Sequence, residues 1–406
     1  MHVIHSRFDG PFSGVKMLDL RTARLVSVLY LGYLWFLFGI VWVPSNKIYQ
    51  QGLVVLLWLP ALVGLVMLAK PLFRVWQSNR FFLSLTLMFL GWAAVSMSWS
   101  AAEDSTKELK RVAYVALFLV SFLLLAQARP ALVWRGLGMA FVGLALSCPI
   151  SFYLFYIHEM NPLQARLSGI GQAGHPILGS YVMALAVMWG LQFTQDQSWK
   201  RVVWGALITL LVAFIVLGQS RGAMLALGLA ALSMPLWRGG RVAWTVALVT
   251  ITLVIIGATL FAPYILARGF SYRPEIFVSS VQMIMENPLF GLGVGSDYRV
   301  YTYNFPEGFD HSHNAFTHAA IELGLPGLLL WIGLWLLAFR TAWLERAAWE
   351  GRLLLSTLLV SFVALQFDAA SLWGSPRAEW FVTWLPIGLA MALALRRPEA
   401  AQTAVE

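Results

Sequence analysis

The amino-acid sequence predicts an all-α polytopic membrane protein of about twelve transmembrane helices, and three observations carry that reading. The composition is too apolar for a soluble domain: 59% of the 406 residues are hydrophobic and only 12% are charged, where soluble domains carry about 25% charged residues. The apolar residues are gathered into runs near or above the length that crosses about 30 Å of hydrocarbon. The basic residues between the runs alternate in density from one loop to the next, as orientation in a bilayer requires.

The runs fall near 25–43, 53–69, 81–98, 112–128, 136–157, 176–193, 202–217, 223–237, 242–262, 315–339, 353–370 and 380–395. The polar break Gly218-Gln219-Ser220-Arg221-Gly222 separates two of them and predicts a tight turn. The basic, polar N-terminal stretch precedes an apolar run longer than a signal-peptide core and lacks a clear cleavage site, so the first span is expected to be retained. With both termini placed in the cytoplasm, 18 of the 28 Lys and Arg residues fall on the inner side, and every inner segment holds at least two. A net charge of +9 is therefore an expression of topology, and no nucleic-acid partner is expected. The single cysteine, Cys148, lies inside an apolar run beside Pro149. It excludes an intrachain disulfide and is expected to be a small buried hydrophobe.

The expected division is a cytoplasmic segment 1–24, helices across 25–262, one long outer loop over 263–314, three further helices across 315–395 and a cytoplasmic tail 396–406. The long loop opens on Tyr272-Arg273-Pro274-Glu275, a helix start with proline and an acid in its first turn. Phe277, Val281, Ile284 and Met285 form an apolar stripe at helical spacing, which predicts a short amphipathic helix lying on the membrane surface. Asn287-Pro288 ends that helix, and Gly291, Gly293 and Gly295 are expected to form a flexible return.

The outer side is poor in cations, so the arginines that do occur there need a reason. Arg166 stands shortly before Gly174-His175-Pro176, Arg221 occupies the tight turn, and Arg268 and Arg273 bracket the start of the surface helix. Arginine offers a planar fork matched to phosphate oxygens, and several forks can hold a diphosphate without a metal. Snorkelling to lipid headgroups is the plain alternative. Histidine is also concentrated outside: His158, His175, His311, His313 and His318, with Asp310-His311-Ser312-His313-Asn314 where the long loop meets the tenth run. A neutral imidazole suits proton abstraction from a sugar hydroxyl. Metal binding by the clustered histidines, or a mere lining of the helix start, are the competing readings. The favoured one is a catalytic base with no metal and no cofactor. No P-loop, dinucleotide fingerprint or serine-hydrolase elbow is present, which argues against ATP-driven cytosolic chemistry.

Ser220-Arg221-Gly222-Ala223, Arg273 at the head of the long loop, Asn287-Pro288-Leu-Phe-Gly-Leu-Gly293, His311-Ser-His-Asn314 and Glu322-Leu-Gly-Leu-Pro-Gly327 occur in this order. The pattern resembles the O-antigen ligase and polymerase superfamily of membrane glycosyltransferases. The resemblance runs from about Arg166 to Gly327, and the layout of spans extends it to the whole chain. It implies a metal-independent, inverting transfer of O-antigen glycan from undecaprenyl diphosphate to a hydroxyl of the lipid A–core oligosaccharide, at the periplasmic face of a Gram-negative inner membrane. By the same resemblance His313 is the base, Arg221, Arg273 and Arg166 hold the diphosphate, and Arg268, His311, Asn314 and His175 contact substrate, with His311 and His313 not fully distinguished. Within the superfamily, the polymerase has two sizeable outer loops where this chain has one. The protein O-oligosaccharyltransferases carry a soluble C-terminal region, where about ten residues follow the last run here. Both differences favour the ligase. A secondary transporter, the reading from another class, would show ionisable residues near the midplane and two related halves; neither is seen.

Overall fold

The computed structural model describes residues 20–68, 79–193, 197–267, 269, 271–368 and 371–395. The N-terminal basic residues through Lys16, Arg268 and the tail beyond 395 lie outside the described residues. All twelve apolar runs are helical. In chain order they are α1 (Leu20–Trp42), α2 (Asn46–Met67), α3 (Arg80–Ser96), α4 (Ser105–Ala128), α5 (Pro130–His158), α6 (Pro176–Gln192), α7 (Ser198–Leu217), α8 (Arg221–Trp237) and α9 (Gly240–Ala267). After these come α10 (Arg273–Glu286), a hairpin of β1 (Val300–Thr302) and β2 (Phe305–Phe309), α11 (Ala315–Leu344), α12 (Trp349–Ala364) and α13 (Glu379–Ala394). Among the described residues seven of these, α1, α2, α4, α5, α7, α9 and α11, are long and apolar enough to cross a membrane. The protein is thus a mostly helical, multi-pass membrane protein.

The core is built where side chains of one helix meet glycines of another, the packing that brings helices close without a hydrophobic drive between them. A Cβ on Gly136 would strike Tyr33, on Gly190 Phe141, and on Gly388 Phe122. Aromatic rings fill the remaining space: Trp58 stacks on Tyr114 at 3.9 Å, and Phe89 lies 5.4 Å from Trp331 and 5.5 Å from Trp373. Helices α6 and α13 are buried almost throughout, whereas α7 and α9 keep most of their apolar surface outside. Their periphery is the surface that lipid would cover. Cys148 is buried, as a small hydrophobe should be.

The tenth run is not one straight span. At about 1.5 Å per residue, Ala315–Leu344 would reach roughly 45 Å, well beyond a ~30 Å hydrocarbon core. It is broken at Gly324, with φ 67° and ψ −175°. The break frees three carbonyls, and each is taken up: Ile321 O accepts from Leu292 N (2.8 Å), Glu322 O from Gly293 N (2.7 Å) and Leu323 O from the Trp92 indole (2.8 Å). The half-helix Ala315–Leu323 is thereby held inside the protein, while the part beyond Gly324 is about 30 Å long.

One expectation for the long loop needs correction. The glycine return is a tightly built segment rather than a flexible one. Gly291, Gly293 and Gly295 all have positive φ, and a Cβ at each would strike Glu322, Ser100 and Glu108 respectively. The helix α10 forms where predicted, and the face it packs inward is Ile276, Ser280 and Ile284. Of the expected stripe only Ile284 is buried, while Phe277, Val281 and Met285 remain exposed. Helical spacing defines two adjacent apolar stripes here, and only tertiary contacts choose which one faces the protein.

Candidate active site

A cleft of about 330 Å³ is lined by Arg166, Arg221 and Arg273, three of the four arginines singled out by the sequence. They come from separate places in the chain, and local structure explains how each is delivered. Ser220 caps α8, its Oγ accepting from Ala223 N at 3.4 Å, so Arg221 is the first helical residue. Gly222 follows because the helix passes so near the Tyr181 hydroxyl that a Cβ would overlap it. Arg273 is likewise the first residue of α10, with Pro274 and Glu275 in the first turn. Ile177 in the first turn of α6 borders the same cleft, and His175 caps that helix, its Nδ1 accepting from Leu178 N at 3.4 Å. Three helix N-termini therefore border one cleft, and their unpaired N–H groups and dipoles favour an anion there.

The chain enters α8, α10 and α11 through left-handed residues. Gln219 (φ 47°), Ser271 (φ 52°), Tyr272 (φ 58°) and His313 (φ 53°) are four of the five non-glycine residues with positive φ among the described residues. Such conformations cost of the order of 1 kcal/mol or more and persist where surrounding contacts enforce them, often at functional sites.

The arginines are held. Arg221 donates to Gly269 O (2.6 Å) and to Ser271 Oγ (2.7 Å). Arg273 donates to Phe367 O (2.5 Å) and pairs with Asp368 Oδ1 (2.8 Å). The other oxygen of Asp368 accepts from the Tyr181 hydroxyl at 3.0 Å. Arg166 donates through Nε to Gly218 O at 3.3 Å. His175 has its pKa lowered by burial and by the nearby charges of Arg166 and Arg377. Asp368, Tyr181 and Arg377 were not singled out by sequence. Asp368 carries one readable signal, an acid near the C-terminal end of an otherwise apolar run.

His313 lies beside the Arg273 end of this arrangement. Its ring is 3.9 Å from that of His311 and 5.9 Å from Phe309. His311 is tied to the exposed Asp310 by a 2.6 Å contact at Nδ1. The Nδ1 of His313 is buried with no hydrogen-bond partner. Burial, together with the charges of His311 and Arg273, lowers the His313 pKa to about 4 against a weaker upward pull from Asp310. The ring is therefore neutral across the physiological range. Asn314 caps α11, its Oδ1 accepting from Phe316 N (2.8 Å) and Thr317 N (3.2 Å), while its Nδ2 donates to Gln366 Oε1 (2.9 Å). Both ends of its amide are thus engaged within the chain. Deeper in the half-helix, His318 and Glu322 pair at 3.3 Å, and His318 Nδ1 lies 2.7 Å from the Tyr298 hydroxyl. Among the described residues no three His, Cys, Asp or Glu side chains converge to hold a metal ion.

Such a site, with cations from three segments, a neutral histidine beside them and a multi-pass helical frame, suits transfer of a group that leaves as an anion. Residues 205–332 match the family described as O-antigen ligase, a stretch that contains Arg221, Arg273, His311 and His313. An O-antigen ligase of Pseudomonas aeruginosa is 30% identical over 398 residues, covering 96% of this chain and 97% of that protein. The chain belongs to the O-antigen ligase family.

Proposed function

We propose that the protein transfers O-antigen glycan from undecaprenyl diphosphate to a hydroxyl of the lipid A–core oligosaccharide, at the periplasmic face of the inner membrane. The observation that carries this reading is the convergence of Arg166, Arg221 and Arg273 on one cleft bordered by three helix N-termini. Both termini face the cytoplasm and twelve helices cross, in keeping with the 18-to-10 inner bias of basic residues.

In this mechanism the three arginines bind the diphosphate and stabilise the charge that develops on it as the anomeric carbon–oxygen bond breaks. Bidentate guanidinium contacts suit that anion without a metal. The acceptor hydroxyl attacks from the opposite side of the anomeric carbon and inverts it, and its proton passes to His313. With Nδ1 buried, Nε2 is the ring nitrogen that meets the hydroxyl. The low pKa keeps the imidazole unprotonated, and a bound diphosphate offsets the Arg273 charge and raises its basicity when substrate is present. Asn314 acts by fixing His313 at the helix start, and Asp368 by aiming Arg273. His311, held by Asp310, and His175, beside Arg166, line the approach.

The test is a purified assay with lipid-linked glycan donor and lipid A–core acceptor. His313→Ala is expected to lower turnover by about 10²–10⁴-fold with donor affinity retained, the contribution typical of a positioned base. Near-normal turnover in that variant refutes histidine catalysis. In cells lacking the gene, loss of the whole lipopolysaccharide ladder is expected; a single-repeat band would indicate a polymerase instead.

A further inference from the structure

A second cleft, of about 460 Å³, lies beside the first. It falls within the usual size of small-molecule sites, about 300–1,000 Å³. The two are joined by one strip of chain: Arg166 lines the first, and Ser168 to Gly171 line the second. We propose that this second cleft is a saccharide subsite, a reading that rests on the glycosyl-transfer function above.

The lining chemistry separates the two clefts. The first presents three arginines; the second presents the rings of Trp42 and Phe155, the carboxylate of Glu159, the Ser168 hydroxyl and exposed peptide groups, with no cationic side chain among its lining residues. A phosphate would meet a like charge there with nothing to neutralise it. A hydrocarbon chain offers the carboxylate and the serine hydroxyls no hydrogen bonds, and covering such a group without one costs a few kcal/mol. A neutral sugar satisfies both halves, its C–H face covering the aromatic rings and its hydroxyls donating to carboxylate and carbonyls. Glu159 is already oriented, one oxygen accepting from Asn161 Nδ2 at 3.0 Å.

The walls are built to hold a shape. Ser151 Oγ accepts from Ile170 N (3.2 Å) and donates to Ser147 O (2.9 Å), and Ser168 Oγ donates to Gly174 O (2.5 Å). Gly171, at φ +63°, lies against the backbone of Val41, where no Cβ fits. Leu154 and Phe155 are presented by a widened π-turn, Tyr153–His158, at the end of α5; such turns recur at functional sites. A substrate with its diphosphate among the arginines and its sugars across the Arg166 strip would fill both clefts. The saccharide belongs either to the donor glycan or to the acceptor oligosaccharide.

The experiment uses purified full-length protein in nanodiscs, with Trp42→Ala, Glu159→Gln and the ring-retaining Trp42→Phe. Apparent KM is measured separately for donor and acceptor, and saturation-transfer NMR is run with two carrier-free probes, the O-antigen repeat and the core oligosaccharide. Trp42→Ala and Glu159→Gln are each expected to raise one KM by about tenfold with kcat little changed, and Trp42→Phe to recover most of the loss. The substrate whose KM moves names the source, and its free oligosaccharide should lose saturation transfer in Trp42→Ala. Unchanged KM values for both substrates, while the wild type transfers glycan, overturn the subsite and leave the catalytic reading standing. A phospholipid retained by the wild type and lost from Trp42→Ala, with both KM values unchanged, overturns it in favour of lipid. Absence of transfer by the wild type refutes the catalytic reading instead, and the subsite then stands or falls on saturation transfer alone.

Discussion

Arg273 has two roles that a double variant can pull apart. Its guanidinium donates to Phe367 O and pairs with Asp368, whose side chain is only 11% exposed. Arg273→Ala leaves that carboxylate facing the protein, with the Tyr181 hydroxyl still donating to it. Removing one partner of a buried pair costs about 3–5 kcal/mol. The expected loss is near the lower end, about 3 kcal/mol, because the Tyr181 hydroxyl still donates and Arg273 borders an open cleft. Adding Asp368→Asn removes the stranded charge while keeping an acceptor for Tyr181, and most of the lost stability should return. Transfer should not return if Arg273 binds the diphosphate as proposed, because the cleft still lacks that fork. Thermal unfolding in detergent gives the stability cycle, and initial rates in the purified assay give the activity. Recovery of both stability and transfer in the double variant would show that Arg273 serves only to neutralise Asp368, and would remove it from the diphosphate site.

Three further outcomes are expected. In the proposed mechanism His313 acts as the neutral imidazole, and its pKa in the free protein is about 4, so kcat/KM should hold as pH falls from 7 to 5 and decline only near 4. The acid limb of kcat should lie higher, since bound diphosphate offsets Arg273; an acid limb of kcat/KM at an ordinary histidine value near 6.5 would contradict the environment described for this ring. Arg221→Lys should lose most transfer, since a point charge cannot span Gly269 O and Ser271 Oγ and also meet a phosphate edge; full activity would mean that simple charge suffices. Gly324→Ala should destabilise the protein by more than about 1 kcal/mol, the cost of positive φ alone, because its Cβ would also strike the backbone of Leu289. A neutral result by thermal unfolding would show that the helix break is not enforced.

The sequence by itself determined the class of the protein and the cast of its site. Lipid demands that each crossing segment satisfy its own backbone and present apolar side chains, so composition and run length were enough to place the long apolar helices among the described residues. The rarity of cations in the loops expected to lie outside was enough to mark Arg166, Arg221 and Arg273, and the position of Asp310 to Asn314 marked the histidines. The motif residues also had local reasons to be read, as the Ser220 cap and the Pro274 helix start show.

Only the tertiary structure decided how these parts meet. The pairing of Arg273 with Asp368 spans 95 residues, and Tyr181 joins it from another helix 187 residues from Asp368; no local pattern encodes such a contact. The break at Gly324 was written in Gly-Leu-Pro, yet its meaning depends on Leu292, Gly293 and Trp92 arriving to take the freed carbonyls. The same dependence misled the reading of the glycine return. Positive φ and a missing Cβ permit flexibility in an isolated chain, but here they let the backbone pass against Glu322, Ser100 and Glu108. The inward face of α10 also depends on a distant segment: Ile284 packs on Ala320 and Ile321 of the half-helix. Periodicity and charge act along the chain, whereas packing and pairing act between distant segments, and the geometry of the cleft belongs to the second kind.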